Sequence, residues 1–69
     1  TLFRSLRLDI AREIGKPPYI VFSDRTLRDM ARIRPVTNAQ FLAVNGVGDN
    51  KLRLYGERFM NLIRSINAG

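Results

Sequence analysis

The sequence contains no cysteine and no histidine. Without thiols and imidazoles the chain has no disulfides, no zinc site built on the usual ligands and no general base of the commonest kind. Its three serines, Ser5, Ser23 and Ser65, lack the histidine that would activate a serine nucleophile. We therefore expect no catalytic site, no metal site and no cofactor within these 69 residues.

Long apolar runs and clusters of acidic residues are also missing. No run approaches the roughly 18 apolar residues that a membrane helix needs, and no signal-peptide pattern is present. Asp9 and Glu13 share one face of the first predicted helix, but Arg12 beside them is typical of a solvated face rather than a metal site. The glycines after residue 45 lack the spacing of a P-loop or of a dinucleotide fingerprint. We expect a cytoplasmic chain with no membrane partner.

Basic residues outnumber acidic residues two to one, with 12 lysines and arginines against 6 aspartates and glutamates. The resulting net charge of +6 favours nucleic acid as the partner. A basic surface that faces an acidic protein is the alternative. Since 45% of the residues are hydrophobic, the chain suffices for one small domain. We expect residues 1–69 to form a single monomeric module cut from a longer protein.

Apolar spacing predicts an all-α fold, a compact bundle of five short helices. The first helix covers Leu2 to Ile14, with Gly15 as its C-terminal cap before Pro17-Pro18. The second helix begins at Ser23 or Asp24 and ends before Pro35. Between them the run Tyr19–Phe22 has no strand to pair with, so we expect an extended crossing that buries some of its apolar side chains.

Three more helices are predicted in the second half of the chain. The third starts with a capping box of Thr37 and Gln40 and stops at Asn45-Gly46. The fourth runs from about Asp49 to Tyr55 and is closed by Gly56. The fifth follows the helical stripe of Phe59, Leu62, Ile63 and Ile66.

The segment Gly46-Val47-Gly48 predicts a tight hairpin that leads into the fourth helix. Free amides at a helix N-terminus suit a phosphate, and Lys51 adds a full charge within the first turn. Asn50 and Arg53 flank that lysine, so we predict a phosphate contact through Gly46, Gly48, Asn50, Lys51 and Arg53. A turn with only a structural role is the alternative. In either case a β-branched residue at Gly46 or Gly48 is expected to destabilise the fold.

A proline-braced tyrosine is a second candidate contact. Arg12 and Lys16 lie one turn apart and lead into Pro17-Pro18, which fixes the direction of Tyr19. An exposed Tyr19 ring would stack on an unpaired base while Lys16 meets the phosphate. Packing of Tyr19 within the crossing segment is the alternative.

A third basic group lies on the second helix. Arg25, Arg28 and Arg32 fall within an arc of about 60° at 100° per residue, so Arg28 is a further candidate for contact with nucleic acid. Asp29 lies beside this arc and partly neutralises it. The alternative is a solvated helix face with local ion pairs.

The order of these motifs resembles the HRDC domain, the helicase and RNase D C-terminal module. The resemblance spans nearly the whole chain. Within the family, the chain is most similar to the C-terminal domain of bacterial RecQ-type helicases. It is carried by Leu2-Phe3, Pro17-Pro18-Tyr19-Ile20-Val21-Phe22-Ser23-Asp24, Thr26-Leu27, Met30-Ala31, Pro35, Phe41-Leu42, Val44-Asn45-Gly46-Val47-Gly48, Lys51-Leu52, Tyr55-Gly56 and Phe59.

The resemblance implies a five-helix fold and an accessory role in binding single-stranded or branched DNA for a catalytic domain elsewhere in the polypeptide. In some RecQ members the tyrosine that matches Tyr19 contributes to single-strand binding, and we carry that role to Tyr19 and to Lys16. It also implies a bacterial, nucleoid-associated location. Two alternatives stay open: a module that docks on the helicase core or another protein, and the RNA-holding domain of an RNase D-like exonuclease.

Overall fold

The computed structural model describes residues 2–69, and every regular element in that range is helical. Four separate helices come first: α1 (Leu2–Ile14), α2 (Pro18–Val21), α3 (Asp24–Ile33) and α4 (Asn38–Leu42). The last helix, α5, is continuous and consists of an α-helical turn (Asp49–Lys51), a π-helical segment (Leu52–Gly56) and an α-helix (Glu57–Ala68). The all-α, five-helix fold predicted from the sequence is confirmed.

The capping residues act at the helix ends where the sequence predicts them. Gly15 has a φ of +67°, and the Lys16 amide donates to the Ala11 carbonyl at 3.0 Å, which closes α1 in a Schellman motif. The Thr37 hydroxyl accepts from the Gln40 amide at 3.2 Å, and the Gln40 side chain returns to accept from the Val36 amide at 2.9 Å. Local sequence therefore sets where these helices start and stop.

The segment Tyr19–Phe22 differs from the extended crossing expected for it. Pro18 to Val21 form a single helical turn, because proline has the φ of a first helical residue and needs no amide partner there. The Ile20 amide donates to the Pro17 carbonyl at 3.0 Å, and the chain becomes extended again at Phe22. The turn buries Val21 and Phe22 and directs Tyr19 outward.

Gly56 does not end a helix, which is a second difference. Its φ of −57° and ψ of −44° are helical, and α5 passes through it in a π-helical segment. A Cβ on Gly56 would lie 2.6 Å from the Leu52 Cδ1 atom, so the glycine accommodates the close approach of the Leu52 side chain and does not form a turn. The five helices of the structure therefore include α2, while the predicted fourth and fifth helices are one.

The core is organised around the ring of Phe22. This ring packs edge-on against Phe59 at a centroid distance of 5.2 Å and against Tyr55 at 5.8 Å, and it lies 6.1 Å from Phe41. Because Phe22 directly follows α2, these contacts join the short helix to α4 and α5. The buried apolar cluster comprises Ile10, Ala11, Val21, Phe22, Leu27, Met30, Phe41, Val44, Phe59, Met60 and Ile63.

The loop between α4 and α5 packs on α3 through Gly46. This residue has a φ of +86°, and a Cβ there would lie 2.5 Å from the Thr26 Oγ1 atom. Gly48 is different: its φ is −112° and no atom lies within 4 Å of a Cβ placed on it. The left-handed backbone and the crowding expected for a β-branched residue at both glycines therefore occur at Gly46 and not at Gly48.

We expect Gly46→Ser to lower the free energy of unfolding by about 1–3 kcal/mol, because the new side chain meets both a left-handed backbone and Thr26. Gly48→Ser is the matched control. It should leave stability equal or slightly higher, since serine is a favoured N-cap residue at the start of α5. Thermal melts of the two variants test this. Equal melting temperatures for the two variants would contradict the assignment.

Candidate nucleic-acid interface

Tyr19 projects from α2 into solvent. Its side chain is 68% exposed, whereas Val21 and Phe22, two and three residues later, are buried. The preceding Pro17 and Pro18 fix the backbone that carries it, so the ring is exposed on a stiff support. Lys16, three residues earlier, is exposed, and its side chain forms no hydrogen bond or ion pair with the described residues.

Lys51 brings α2 and the first turn of α5 together. Its ammonium donates to the carbonyl oxygens of Ile20 and Val21, the latter at 2.9 Å, and lies 5.8 Å and 5.7 Å from the ring centroids of Phe22 and Tyr55. These carbonyls end a helix of one turn that has no residues of its own to satisfy them. Lys51 therefore serves as the C-terminal cap of α2.

This position differs from the predicted one, in which Lys51 offers its charge to a phosphate, and that contact stays a prediction. The ammonium faces the α2 carbonyls and two aromatic rings, and the residue is half-buried. Sequence reasoning treated Lys51 as part of a local loop, whereas its partners lie 30 and 31 residues away. No local signal in the sequence points to that contact.

The other candidates on the loop remain at the surface beside α2. Asn50 and Arg53 are exposed, and the Asn50 side-chain oxygen accepts from the Arg53 guanidinium at 2.7 Å. Gly48 is exposed with open space around its Cα. Since Lys51 joins this turn to Ile20, the two motifs predicted separately from the sequence lie on neighbouring segments.

Asp29 anchors the loop from the other side. Its carboxylate accepts from the Asn45 amide at 2.7 Å and pairs with Arg32 at 2.8 Å. Donation by the Asn45 amide, and then by Arg32, lowers the pKa of Asp29 below its ordinary value. From the sequence Asp29 lies beside the basic arc of α3. In the structure it also holds the Asn45 amide, directly before Gly46.

Arg28 lies on a different surface from Tyr19. It borders a groove formed with the first turn of α1, including Leu2 and Phe3, whereas Lys16 follows the last turn of that helix. Arg32 in the same arc is paired with Asp29. The side chains of Arg25 and Arg28 form no hydrogen bond or ion pair within residues 2–69. The predicted site residues therefore divide into two groups.

Within the part of the chain that the structure describes, no group of three or more acidic, histidine or cysteine side chains could hold a metal ion. No helix there is long and apolar enough to cross a membrane.

Comparison with known proteins places the chain in one family. The HRDC domain model matches residues 2–63. The chain is 48% identical over 65 residues to the ATP-dependent DNA helicase RecQ of Haemophilus influenzae and 42% identical over 62 residues to that of Bacillus subtilis. It is 39% identical over 61 residues to the ATP-dependent DNA helicase UvrD2 of Mycobacterium tuberculosis.

These alignments cover 94%, 90% and 88% of this chain, but 10%, 10% and 9% of the three relatives. The chain therefore spans about a tenth of the length of the curated relatives it matches. Among solved structures, D. radiodurans RecQ HRDC domain 3 superimposes with a TM-score of 0.92 at 33% identity. That match covers 97% of this chain and 88% of the other.

We expect Lys51→Met to destabilise the fold by about 1.5–3 kcal/mol, because two carbonyls at the end of α2 lose a charged donor. Methionine keeps most of the apolar stem, so the change isolates the ammonium. Lys16→Met is the matched control and should leave the melting temperature unchanged. If both variants melt with the parent, Lys51 does not cap α2.

Because the pKa of Asp29 is lowered, the stability of the fold should depend on pH in the acid range. A carboxylate whose folded pKa is depressed stabilises the fold above its unfolded pKa of about 4, and that contribution is lost as the pH falls through the folded value. We expect the melting temperature to fall below about pH 4, and to fall less steeply in Asp29→Asn. Asp9→Asn, which changes an exposed carboxylate without side-chain hydrogen bonds among the described residues, is the matched control. Identical slopes in Asp29→Asn and the parent would refute the role of Asp29.

Proposed function

The chain belongs to the HRDC domain family, and from that premise we propose that it is the accessory nucleic-acid-binding domain of a RecQ-type DNA helicase. It holds single-stranded or branched DNA weakly, while ATP-dependent unwinding takes place in a catalytic domain elsewhere in the polypeptide. The helicases RecQ and UvrD2 among its relatives support a helicase parent over an RNase D-like exonuclease.

The observation that carries the proposal is the exposed ring of Tyr19. A large aromatic side chain that is 68% exposed on a proline-braced turn loses little conformational freedom when a base stacks on it. Stacking requires an unpaired base, so this contact favours single strands and the open arms of branched substrates over an intact duplex. Tyr19 therefore discriminates DNA with unpaired bases from an intact duplex.

Cations beside the ring meet the phosphates. Lys16 is exposed, and Arg53, held by Asn50 at 2.7 Å, presents its remaining donors to solvent from the first turns of α5. The open space at Gly48 leaves room for a backbone to approach the start of that helix. Lys51 contributes indirectly, because it holds α2 in place.

The proposed affinity is low because few phosphate contacts fit on this surface. Non-specific binding of this kind has dissociation constants of about 10⁻⁴ to 10⁻⁶ M at physiological salt and weakens as salt is raised. Tethering to a motor that already holds the DNA makes such a weak site effective, since the second contact is intramolecular. The domain would thereby influence which DNA structures the helicase engages.

We expect Tyr19→Ala to weaken binding of a short oligothymidylate by about 1–3 kcal/mol and to leave the melting temperature nearly unchanged. Tyr19→Phe should bind like the parent, since stacking does not need the hydroxyl group. In the same titrations Lys16→Met should lower the salt slope by about 0.7, the value for one phosphate contact on a single strand. Fluorescence anisotropy at two salt concentrations, with thermal melts alongside, measures all three.

A folded Tyr19→Ala variant that binds the oligonucleotide as tightly as the parent would refute the stacking proposal. Absence of binding by the parent at low salt would refute nucleic-acid binding as a whole.

A further inference from the structure

A second surface, away from Tyr19, is an apolar groove between α1, α3 and α5. Its volume is about 540 Å³, and Phe3, Leu27, Ala31 and Ile66 contribute apolar lining. Leu2 stands at the same groove with 58% of its side chain exposed. Ala31 is exposed, and its small side chain leaves space where a larger residue would fill the groove. Such volumes suit a few buried ligand side chains.

The groove is bordered by positive charge. Arg4 and Arg28 line it, and Arg25 lies one turn before Arg28 on α3. The only acidic residue in the lining is Asp24, which pairs with Arg7 at 2.8 Å. Hydrogen bonding to Arg7 lowers the pKa of Asp24, so its carboxylate stays ionised. The positive charge of Arg7 balances that carboxylate. The side chains of Arg25 and Arg28 form no hydrogen bond or ion pair among the described residues, so the unbalanced charge on this side of α3 is basic.

We propose that this groove binds an acidic peptide segment that carries two or three large apolar side chains. Its apolar side chains would fill the space beside Phe3, Ala31 and Ile66, and its carboxylates would pair with the arginines of the border. Any ligand that fills the groove also covers Arg28, and a guanidinium taken out of water without a counter-charge is costly. An apolar peptide without acidic residues therefore fits less well.

Two other occupants match the observations less closely. A second copy of this chain would bring the same basic border against itself, and like charges oppose that contact. DNA would satisfy the arginines but would place its charged backbone against Leu2, Phe3 and Ile66, which offer it no donors. An acidic, apolar peptide alone complements both the lining and the border.

The groove is independent of the proposed DNA contact. It lies at the first turn of α1, while Lys16 follows the last turn, about 20 Å along a helix of this length. Both surfaces can therefore be occupied in one molecule, and failure of either proposal leaves the other standing.

The test uses a fluorescein-labelled peptide of 12 residues. It carries two phenylalanines and one leucine at helical spacing, with glutamates between them. We expect anisotropy to show saturable binding to the 69-residue chain, weakened by salt. Ala31→Phe, which fills the groove without changing charge, and Arg28→Glu, which reverses the border, should each weaken binding at least tenfold. Tyr19→Ala should bind the peptide like the parent. Thermal melts establish that each variant is folded.

Two matched peptides separate the contributions. Replacing every glutamate by glutamine, or every apolar residue by serine, should each reduce affinity at least tenfold. Equal binding of the glutamine peptide would overturn the charge argument, and equal binding to Ala31→Phe would overturn the groove. Loss of peptide binding in Tyr19→Ala, or displacement of the peptide by a short oligothymidylate, would assign the basic border to nucleic acid and refute the proposal.

Discussion

The contact between Lys51 and the carbonyls of Ile20 and Val21 is the constraint on which the candidate interface depends. A helix of one turn cannot satisfy its own carbonyl groups, so α2 needs a donor from elsewhere in the chain. Lys51 supplies that donor and at the same time ties the start of α5 to α2. The same turn buries Phe22 at the centre of the aromatic core and leaves Tyr19 outside. The burial of Phe22 and the exposure of Tyr19 therefore both follow from the position of α2.

Net charge alone is a coarse guide to binding in this molecule, because many cations serve the fold. Lys51 caps α2, Arg7 donates to the Phe22 carbonyl and Asp24, and Arg64 donates to the Val36 carbonyl. Glu13 pairs with Arg58, and Asp29 pairs with Arg32. Such exposed pairs contribute little to stability, but they remove charge from the surface available to a partner. The cations left without hydrogen bonds or ion pairs within residues 2–69 are Arg12, Lys16, Arg25, Arg28 and Arg34.

The sequence predicts those features that depend on neighbouring residues. Gly15 as a cap and the Thr37–Gln40 capping box are local signals, and both act in the structure as predicted. The continuity of α5 through Gly56 was not predictable, because it depends on the packing of Leu52 rather than on glycine's usual role. The sequence does not predict the helical turn of α2, because Pro17-Pro18 indicates the end of α1 more plainly than the start of another helix.

The candidate site divides in the same way. The exposure of Tyr19 follows from its prolines, and a sequence pattern suffices to suggest it. The inward direction of Lys51 depends on a partner 30 residues away. The hydrogen bond from the Asn45 amide to the Asp29 carboxylate joins residues that are 16 apart. Charge alone makes Arg28 a candidate alongside Tyr19, whereas the tertiary fold places Arg28 at a different surface. Contacts that are distant in sequence decided every correction to the site.

The most direct test of the account is a map of the surface that single-stranded DNA perturbs. Amide chemical shifts of the ¹⁵N-labelled chain, followed while a short oligothymidylate is added at low salt, give that map residue by residue. The account predicts that the largest shifts fall on Lys16, Tyr19 and Ile20 and on Asn50 and Arg53 across the Lys51 contact. Shifts centred on Arg25 and Arg28, with Tyr19 unmoved, would contradict it.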